Sequence, residues 1–228
     1  MKFRIVGLAL AGFSLFAANV HATVSSPNGL NPGDNYRIAF VTGGSRDAIS
    51  SDINDYNAFV TTEANLSGSL VAGLSASWTA IASTATVDAR DNTSTNPTSI
   101  SYSVNVPIYL TDGLTIIANN YFDLWDGSLD APLNLTQYGG ASNSQVWTGS
   151  TFGGLVLSTH ALGDGAPNRG VSNVAHVWWS QFEWTGAATQ LPLYAISDVL
   201  TVAAVPEPSA FCLGGLAFLA VFTCRKRR

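Results

Sequence analysis

Two uncharged apolar stretches, one near each end of the chain, confine any water-soluble fold to the residues between them. The first covers residues 5–18, follows Lys2 and Arg4, and precedes Val20-His21-Ala22. A positive start, a short apolar run and small or β-branched residues ahead of a cut after Ala22 are typical of a secretory signal peptide. A membrane anchor is the alternative, but the run is short for one. We therefore expect signal peptidase to remove residues 1–22.

The second apolar stretch covers residues 210–224 and lies between Val205-Pro206-Glu207-Pro208-Ser209 and a basic end. Fifteen residues of helix are about 22 Å long, which makes a marginal transmembrane span. Basic residues mark the cytoplasmic side of such a span. The four are Arg225, Lys226, Arg227 and Arg228. With both positive ends inside, the chain would be anchored transiently in the inner membrane, and everything between would face outward.

The order Pro-Glu-Pro, short apolar helix and terminal basic cluster resembles the PEP-CTERM sorting tail. That resemblance implies recognition and removal by exosortase, a membrane-embedded cysteine transpeptidase. It also implies a Gram-negative-type bacterial host and a final place at the cell surface or outside the cell. By the same resemblance, Pro206, Glu207 and Pro208 are the recognition residues, and the cluster Arg225–Arg228 is the stop.

The body between the two ends, residues 23–205, is strongly acidic and excludes several kinds of function. It holds four arginines and 14 acidic residues, a formal net charge of −10, and no Lys, Cys or Met. This charge excludes tracking of a nucleic-acid backbone, which needs clustered basic residues. The missing lysines exclude Schiff-base catalysis and a Walker phosphate loop, and the missing cysteines exclude a thiol nucleophile and disulfides.

The hydrophobic pattern of the body predicts one early helix and many short strands. Residues 36–41 alternate as an apolar strand, and residues 46–66 have helical spacing, with Ser45 as the N-cap and Asp47 in the first turn. The apolar face of that helix would hold Ile49, Ile53, Tyr56, Val60 and Ala64, and the opposite face Asp52, Asp55 and Glu63. Short strands are predicted at residues 78–82, 106–110, 146–150 and 193–197, with a loop over residues 88–103. This order is typical of an α+β domain.

The motif order in the body also resembles an uncharacterised C-type-lectin-like domain of bacterial surface proteins. The matching segments are YLTDG (109–113), IANNYFDLWDGSLDAPLN (117–134), VWTGS (146–150) and LYAIS (193–197). The resemblance implies a C-type-lectin-like fold with mostly antiparallel strands. Ala195 stands where such domains commonly have a cysteine, and the Glu-Pro-Asn and Trp-Asn-Asp calcium signatures are missing. We divide the chain into a signal peptide (1–22), a leader (23–35), this domain (36–204) and the sorting tail with its hydrophobic helix (205–228).

Two groups of acidic residues could carry chemistry. Asp123 and Asp126 flank Trp125, as an acid/base pair acting on a sugar or as calcium ligands would. The alternative is a turn in which the carboxylates accept backbone hydrogen bonds and the indole enters the core. Asp88 and Asp91, with Asn92, form a second candidate calcium cluster, although their spacing is not that of an EF-hand. A solvated loop is the alternative there.

The histidines and tryptophans of the second half complete the candidate residues. His160 and His176 could share a metal or activate a serine, but no catalytic motif accompanies them. Trp147, Trp178, Trp179 and Trp184 are candidates for the core. An exposed Trp beside Arg169 and the Gly163–Gly170 loop would suit a carbohydrate or protein contact. Among these, Trp147, Trp179 and Arg169 are retained as possible ligand contacts, together with Asp123, Trp125 and Asp126.

These patterns favour a non-enzymatic exported domain, without a cofactor, that binds extracellular polysaccharide or a surface protein in the matrix or biofilm around the cell. A secreted hydrolase acting on glycans through Asp123 and Asp126 is the alternative. A calcium-stabilised structural protein is a third interpretation.

Overall fold

The computed structural model describes residues 26–99 and 106–204, which form a mixed α/β domain with two β-sheets. Its strands are β1 (Asn35–Val41), β2 (Trp78–Ala80), β3 (Ile108–Tyr109), β4 (Ile116–Ala118), β5 (Gln145–Trp147), β6 (Asn168–Val171), β7 (Glu183–Trp184), β8 (Tyr194–Ser197) and β9 (Leu200–Thr201). Its α-helices are α1 (Ile53–Ala64), α2 (Ala89–Asn92) and α3 (Tyr121–Leu124), and 3₁₀ turns cover Ala72–Leu74 and Val177–Trp179. The signal peptide and the hydrophobic helix of the tail lie outside these residues. No helix within residues 26–99 and 106–204 has the length and apolar character needed to cross a bilayer.

The larger sheet brings the two ends of the domain together. Its order is β2-β8-β1-β3-β4, and β9 pairs with the start of β1. Strand β1 runs antiparallel to β8 and β9, with Phe40 opposite Ala195 and Asn35 opposite Thr201. The pair β1–β3 is parallel, so the sheet is not wholly antiparallel. The predicted closing strand, β8, therefore lies inside the sheet, between β1 and β2.

Strand β1 is buried on both faces because packed elements cover each side of the sheet. Tyr36, Ile38 and Phe40 point into one core cluster, which includes the apolar face of α1. Ala39 and Val41 point into a second cluster. Side chains alternate between the faces of a strand, so the sequence pattern of β1 feeds both clusters. The prediction of an apolar strand here is confirmed.

The first helix begins seven residues later than predicted. Asp52 caps it, accepting a hydrogen bond from the backbone N–H of Asn54 at 2.9 Å. Arg46, predicted to be helical, exchanges two backbone hydrogen bonds of 3.0 Å with Leu191. That long-range bridge satisfies the backbone at residue 46, so Ser45 caps no helix and Asp47 is not in its first turn. Ile49, assigned to the apolar face, is 60% exposed.

The polar face of the helix was also predicted wrongly at Glu63. Its side chain is buried, although the spacing placed it opposite the apolar stripe. It accepts hydrogen bonds from the Gly44 backbone N–H at 2.7 Å and from Gln137 Nε2 at 2.9 Å. Gln137 Oε1 in turn accepts the N–H of Gly43 at 2.8 Å. The buried carboxylate therefore links α1 by hydrogen bonds to the loops that contain Gly44 and Gln137.

The smaller sheet, in the order β5-β6-β7, is antiparallel throughout. A parallel bridge between Trp147 and Leu193 joins it to the segment that leads into β8. Gly170 in β6 passes so close to the 3₁₀ turn that an added Cβ would lie 1.9 Å from the Trp179 carbonyl oxygen. Glycine is therefore required at residue 170. This contact brings β6 against the 3₁₀ turn Val177–Trp179.

Candidate functional site

The segment Asp123–Asp126 covers the end of the short capped helix α3 and the start of the turn that follows it. Asn120 caps α3, its side-chain oxygen accepting the backbone N–H groups of Phe122 and Asp123. Asp123 accepts hydrogen bonds from the backbone and side chain of Asn119, and Asp126 accepts the N–H of Ser128 at 2.9 Å. Trp125 is buried. These contacts correspond to the alternative in which the carboxylates stabilise a turn and the indole enters the core.

A third carboxylate, Asp130, lies beside this turn and is not predicted as a site residue from the sequence. Asn119 Nδ2 donates to Asp130 as well as to Asp123. Partial burial and the neighbouring charges of Asp123 and Asp126 raise the pKa of Asp130 above its usual range, while the hydrogen bond from Asn119 opposes the shift. Like charges that share one site disfavour a second ionisation. The arrangement stores electrostatic repulsion on the surface of the turn.

Three of the tryptophans named as possible ligand contacts are core residues. Trp147 and Trp179 are fully buried, and the Trp147 Nε1–H donates to the Arg46 carbonyl at 3.0 Å. Trp125 donates through Nε1 to Thr95 Oγ1 at 2.9 Å, and its ring centroid lies 5.7 Å from that of Trp179. Buried indoles that hold such contacts have no face to offer a ligand. Core packing, the alternative considered for these rings, describes their position.

The candidate calcium ligands Asp88 and Asp91 have separate structural partners. Asp88 accepts the backbone N–H of Val156 at 2.6 Å, and Asp91 accepts from Asn96 Nδ2 at 2.6 Å. Asn92 bridges to Asn57 on α1 and to the Ala80 carbonyl. Within the part of the chain that the structure describes, no three His, Cys, Asp or Glu side chains lie close enough together to hold a metal ion. The two acidic groups offered by the sequence do not converge on a common site.

The two histidines of the body each contact a different tryptophan ring. His176 lies edge-on to Trp178, with ring centroids 5.0 Å apart. His160 lies parallel to Trp184, with centroids 4.5 Å apart and an interplanar angle of 14°. His160 Nδ1 is also 2.8 Å from the Ala166 carbonyl, which holds the imidazole in place. The histidines therefore organise two aromatic groups rather than one shared metal site.

Arg169 lies on the exposed side of the smaller sheet, where β6 pairs with β7. In the register of this pair, Arg169 is opposite Glu183 and Asn168 is opposite Trp184. The guanidinium donates to Glu183 Oε2 at 2.8 Å, and the Glu183 side chain is 58% exposed. This ion pair presents a carboxylate and a guanidinium side by side at the protein surface. The Arg169 side chain is only 15% exposed, so Glu183 contributes most of the accessible surface of this pair.

Trp184 is the exposed tryptophan beside Arg169 and the Gly163–Gly170 loop. Its side chain is 60% exposed, and the next residue, Thr185, donates its N–H to the Pro167 carbonyl of that loop at 3.1 Å. From the sequence, Trp184 is grouped with the core candidates, and Trp179 is the predicted ligand contact instead. One signal could have found it: in Phe182-Glu183-Trp184-Thr185 the aromatic stands between polar neighbours, as on an edge strand. We call Trp184 and His160, whose rings are stacked, the Trp184 surface.

A second exposed aromatic group lies on the 3₁₀ turn that precedes β7. Trp178 is 48% exposed and contacts Phe182, with ring centroids 5.1 Å apart. Val177 and Phe152, both exposed, close over Gly127, whose added Cβ would lie 3.2 Å from each of them. Half of the exposed large hydrophobic side chains of the described residues fall within residues 152–184. Phe152 and Val177 form a small exposed apolar patch over Gly127.

The described chain ends at the point where the sorting tail begins. The last strand, β9, closes at Thr201, and Val202 makes the final backbone hydrogen bonds of the sheet. Residues 204–228 match the PEP-CTERM protein-sorting motif. The tail is a PEP-CTERM motif. It implies processing by exosortase and export to the cell surface or extracellular space of a bacterium. Pro206, Glu207, Pro208 and the basic cluster lie outside the described residues. No curated protein matches the chain.

Proposed function

We propose that this chain is an exported bacterial surface or extracellular-matrix protein, processed by exosortase, whose body is a non-enzymatic binding domain. The observation that carries the proposal is the PEP-CTERM motif at residues 204–228, which directly follows the last strand of a folded domain. The predicted signal peptide supplies the export step. A Gram-negative-type host and transient inner-membrane anchoring are parts of the same proposal.

The C-type-lectin-like fold is also proposed for the body. Support comes from the pairing of the first strand with the last two, which places the two ends of the domain side by side. Between them lies a long stretch of short strands and loops that includes the separate sheet β5-β6-β7. A disulfide-free core buried on both faces of β1 replaces the cysteines that such domains commonly contain.

A binding role is favoured over hydrolysis because the acidic residues of the turn have structural tasks. Asp123 and Asp126 both accept backbone hydrogen bonds, so their orientation follows from the fold of the turn. Trp184, in contrast, has an exposed indole stacked on His160, and aromatic rings of this kind are enriched at binding surfaces.

Fractionation of the native host tests the sorting half of the proposal. We expect the wild-type protein at the outer surface or in the medium, and a Pro206→Ala/Pro208→Ala variant in the inner membrane. A matched Pro192→Ala variant controls for the effect of losing a proline within the body. Equal distribution of wild type and tail variant would contradict sorting through Pro-Glu-Pro.

An activity screen tests the binding half. The processed protein is incubated with panels of glycans and peptides, and we expect no turnover. Turnover that Asp126→Asn abolishes would overturn the binding role in favour of the hydrolase alternative.

A further inference from the structure

We propose that the Trp184 surface is a binding site for a neutral polysaccharide, with the Trp184 indole as the stacking platform for one sugar ring. This inference rests on the proposed function, because it names the ligand class of the exported binding domain. It concerns Trp184 of β7 and His160, which precedes β6 in the chain, and not the Asp123–Asp126 turn.

The first support is the geometry of the Trp184 ring. One face is covered by the parallel His160 imidazole, at a centroid distance of 4.5 Å. Because the side chain is nevertheless 60% exposed, its exposed surface must lie mainly on the opposite face and the outer edge. A flat, open indole face matches the apolar C–H face of a pyranose ring. Aromatic residues are enriched at binding surfaces for the same reason, since they combine contact area with few rotatable bonds.

The second support is the rigidity of the platform. Trp184 is fixed in β7 by pairing opposite Asn168, and Asn168 itself is buried and donates its N–H to the His160 carbonyl at 2.8 Å. The backing ring is held in turn by the contact between His160 Nδ1 and the Ala166 carbonyl. A side chain that is already immobilised loses little conformational entropy when a ligand stacks on it. A solvent-exposed Trp without such backing would lose more.

The ion pair of Arg169 and Glu183 does not contribute to this surface. Neighbouring residues of a strand point to opposite faces, so Glu183 and its partner Arg169 lie on the other face of the sheet from Trp184. The platform is therefore the Trp184 indole with its His160 backing. A single ring of this size suits one sugar ring better than a protein partner, which would be expected to cover a wider apolar area.

Charge selects a neutral polysaccharide over an anionic one. The body has a formal net charge of −10, and the Arg169 guanidinium is paired with Glu183 on the other face of the sheet. Acidic polysaccharides would be repelled at low ionic strength, and no free cation in the Trp184 surface would compensate. A neutral glycan is not repelled by the acidic body and needs no cation to compensate.

Affinity electrophoresis of the processed protein tests this inference. Native gels contain neutral probes (β-glucan, xylan or galactan), anionic probes (alginate or polygalacturonate) or the cationic probe chitosan. We expect at least one neutral polymer to retard the wild type, and Trp184→Ala to weaken its binding about tenfold or more. Trp178→Ala is the matched control, since Trp178 is also exposed and lies six residues away, and it should bind like the wild type. Trp184→Phe should retain a large part of the affinity because it keeps an aromatic face.

The possible outcomes separate this inference from the proposed function. Binding only to anionic polymers or chitosan, unchanged binding by Trp184→Ala, or loss of binding in Trp178→Ala alone would each overturn it. If no probe retards a wild type that is correctly processed and exported, the neutral-glycan site is wrong while the sorting role stands. If glycan binding follows Trp184 but the protein stays unprocessed in the membrane, the site stands and the sorting role fails. Melting curves that match the wild type show that each variant is folded.

Discussion

The Val202 backbone N–H donates a 2.9 Å hydrogen bond to the Asp34 carbonyl, and Gly33 returns a bond of the same length to the Val202 carbonyl. The chain is therefore hydrogen-bonded to the folded domain as far as Val202. Ala203, Ala204 and Val205 then separate it from Pro206. Four extended Cα steps span at most about 14 Å, so the sorting motif must be read close to a folded surface.

Shortening this tether should impair processing. Deletion of Ala203 and Ala204 would bring Pro206 to within about 7 Å of the last paired residue, by the same extended spacing. We expect the deletion variant to accumulate uncut in the membrane fraction, measured by immunoblot. Duplication of Ala203-Ala204 serves as the control and should be processed at least as well as the wild type. Equal processing of the deletion variant would mean that the tether has no role in presentation.

The core and surface tryptophans should differ sharply in their effect on stability. Trp179 is fully buried against Trp125 and Tyr194, so Trp179→Ala should lower the free energy of unfolding by about 3–5 kcal/mol. Trp184→Ala removes a ring that is mostly exposed and should change it by about 0.5 kcal/mol or less. Urea denaturation followed by circular dichroism measures both. A large loss of stability in Trp184→Ala would show that this ring has a structural role.

The sequence predicted those elements whose pattern depends on local neighbours alone. Strand β1 is predicted by its mostly apolar residues, and the short strands β2, β3, β5 and β8 are predicted within three residues of their bounds. The start of α1 was missed because both Ser45 and Asp52 satisfy the local rules for an N-cap. The hydrogen bonds between Arg46 and Leu191, 145 residues apart, decide between them.

The candidate site was harder to predict because tryptophans serve the core and the surface equally well. Trp179 and Trp178 are adjacent in sequence, yet one is fully buried and the other is 48% exposed. The stacking of His160 on Trp184 joins residues 24 positions apart, and nothing local to either residue encodes it. Arg169 and its neighbouring loop were identified from sequence, but the aromatic beside them was Trp184 rather than Trp179.

Substitution of the two glutamates of the body should reduce stability by different amounts. Glu63→Ala would leave the Gly44 N–H and the Gln137 amide without their acceptor, and each lost partner of a buried polar group costs about 1–3 kcal/mol. Glu183→Ala, the matched control, removes an exposed ion pair and should cost about 0–1 kcal/mol. Urea midpoints of both variants test this difference. Similar losses for the two would contradict the buried role of Glu63.

Asp130 should make the domain less stable as the pH rises. Its pKa is raised in the folded protein, so the folded state binds its proton more tightly than the unfolded state does. The resulting stabilisation is complete below the ordinary value of 3.8 and is lost as the pH rises through the raised folded value. Asp130→Asn should therefore raise the melting temperature at pH 7, with a smaller difference at pH 4. A variant that melts lower than the wild type at pH 7 would show that the ionised carboxylate is stabilising.

The central claim is that the chain is cut at both ends and released from the inner membrane as a folded domain. Intact mass spectrometry of the protein recovered from the outer surface or the medium tests it most directly. We expect a mass that begins at Thr23, ends near the Pro206-Glu207-Pro208 motif, and lacks Cys212, Cys224 and the basic cluster. A mass that retains residues 210–228, in protein found with the inner membrane, would contradict sorting and leave a membrane-tethered domain.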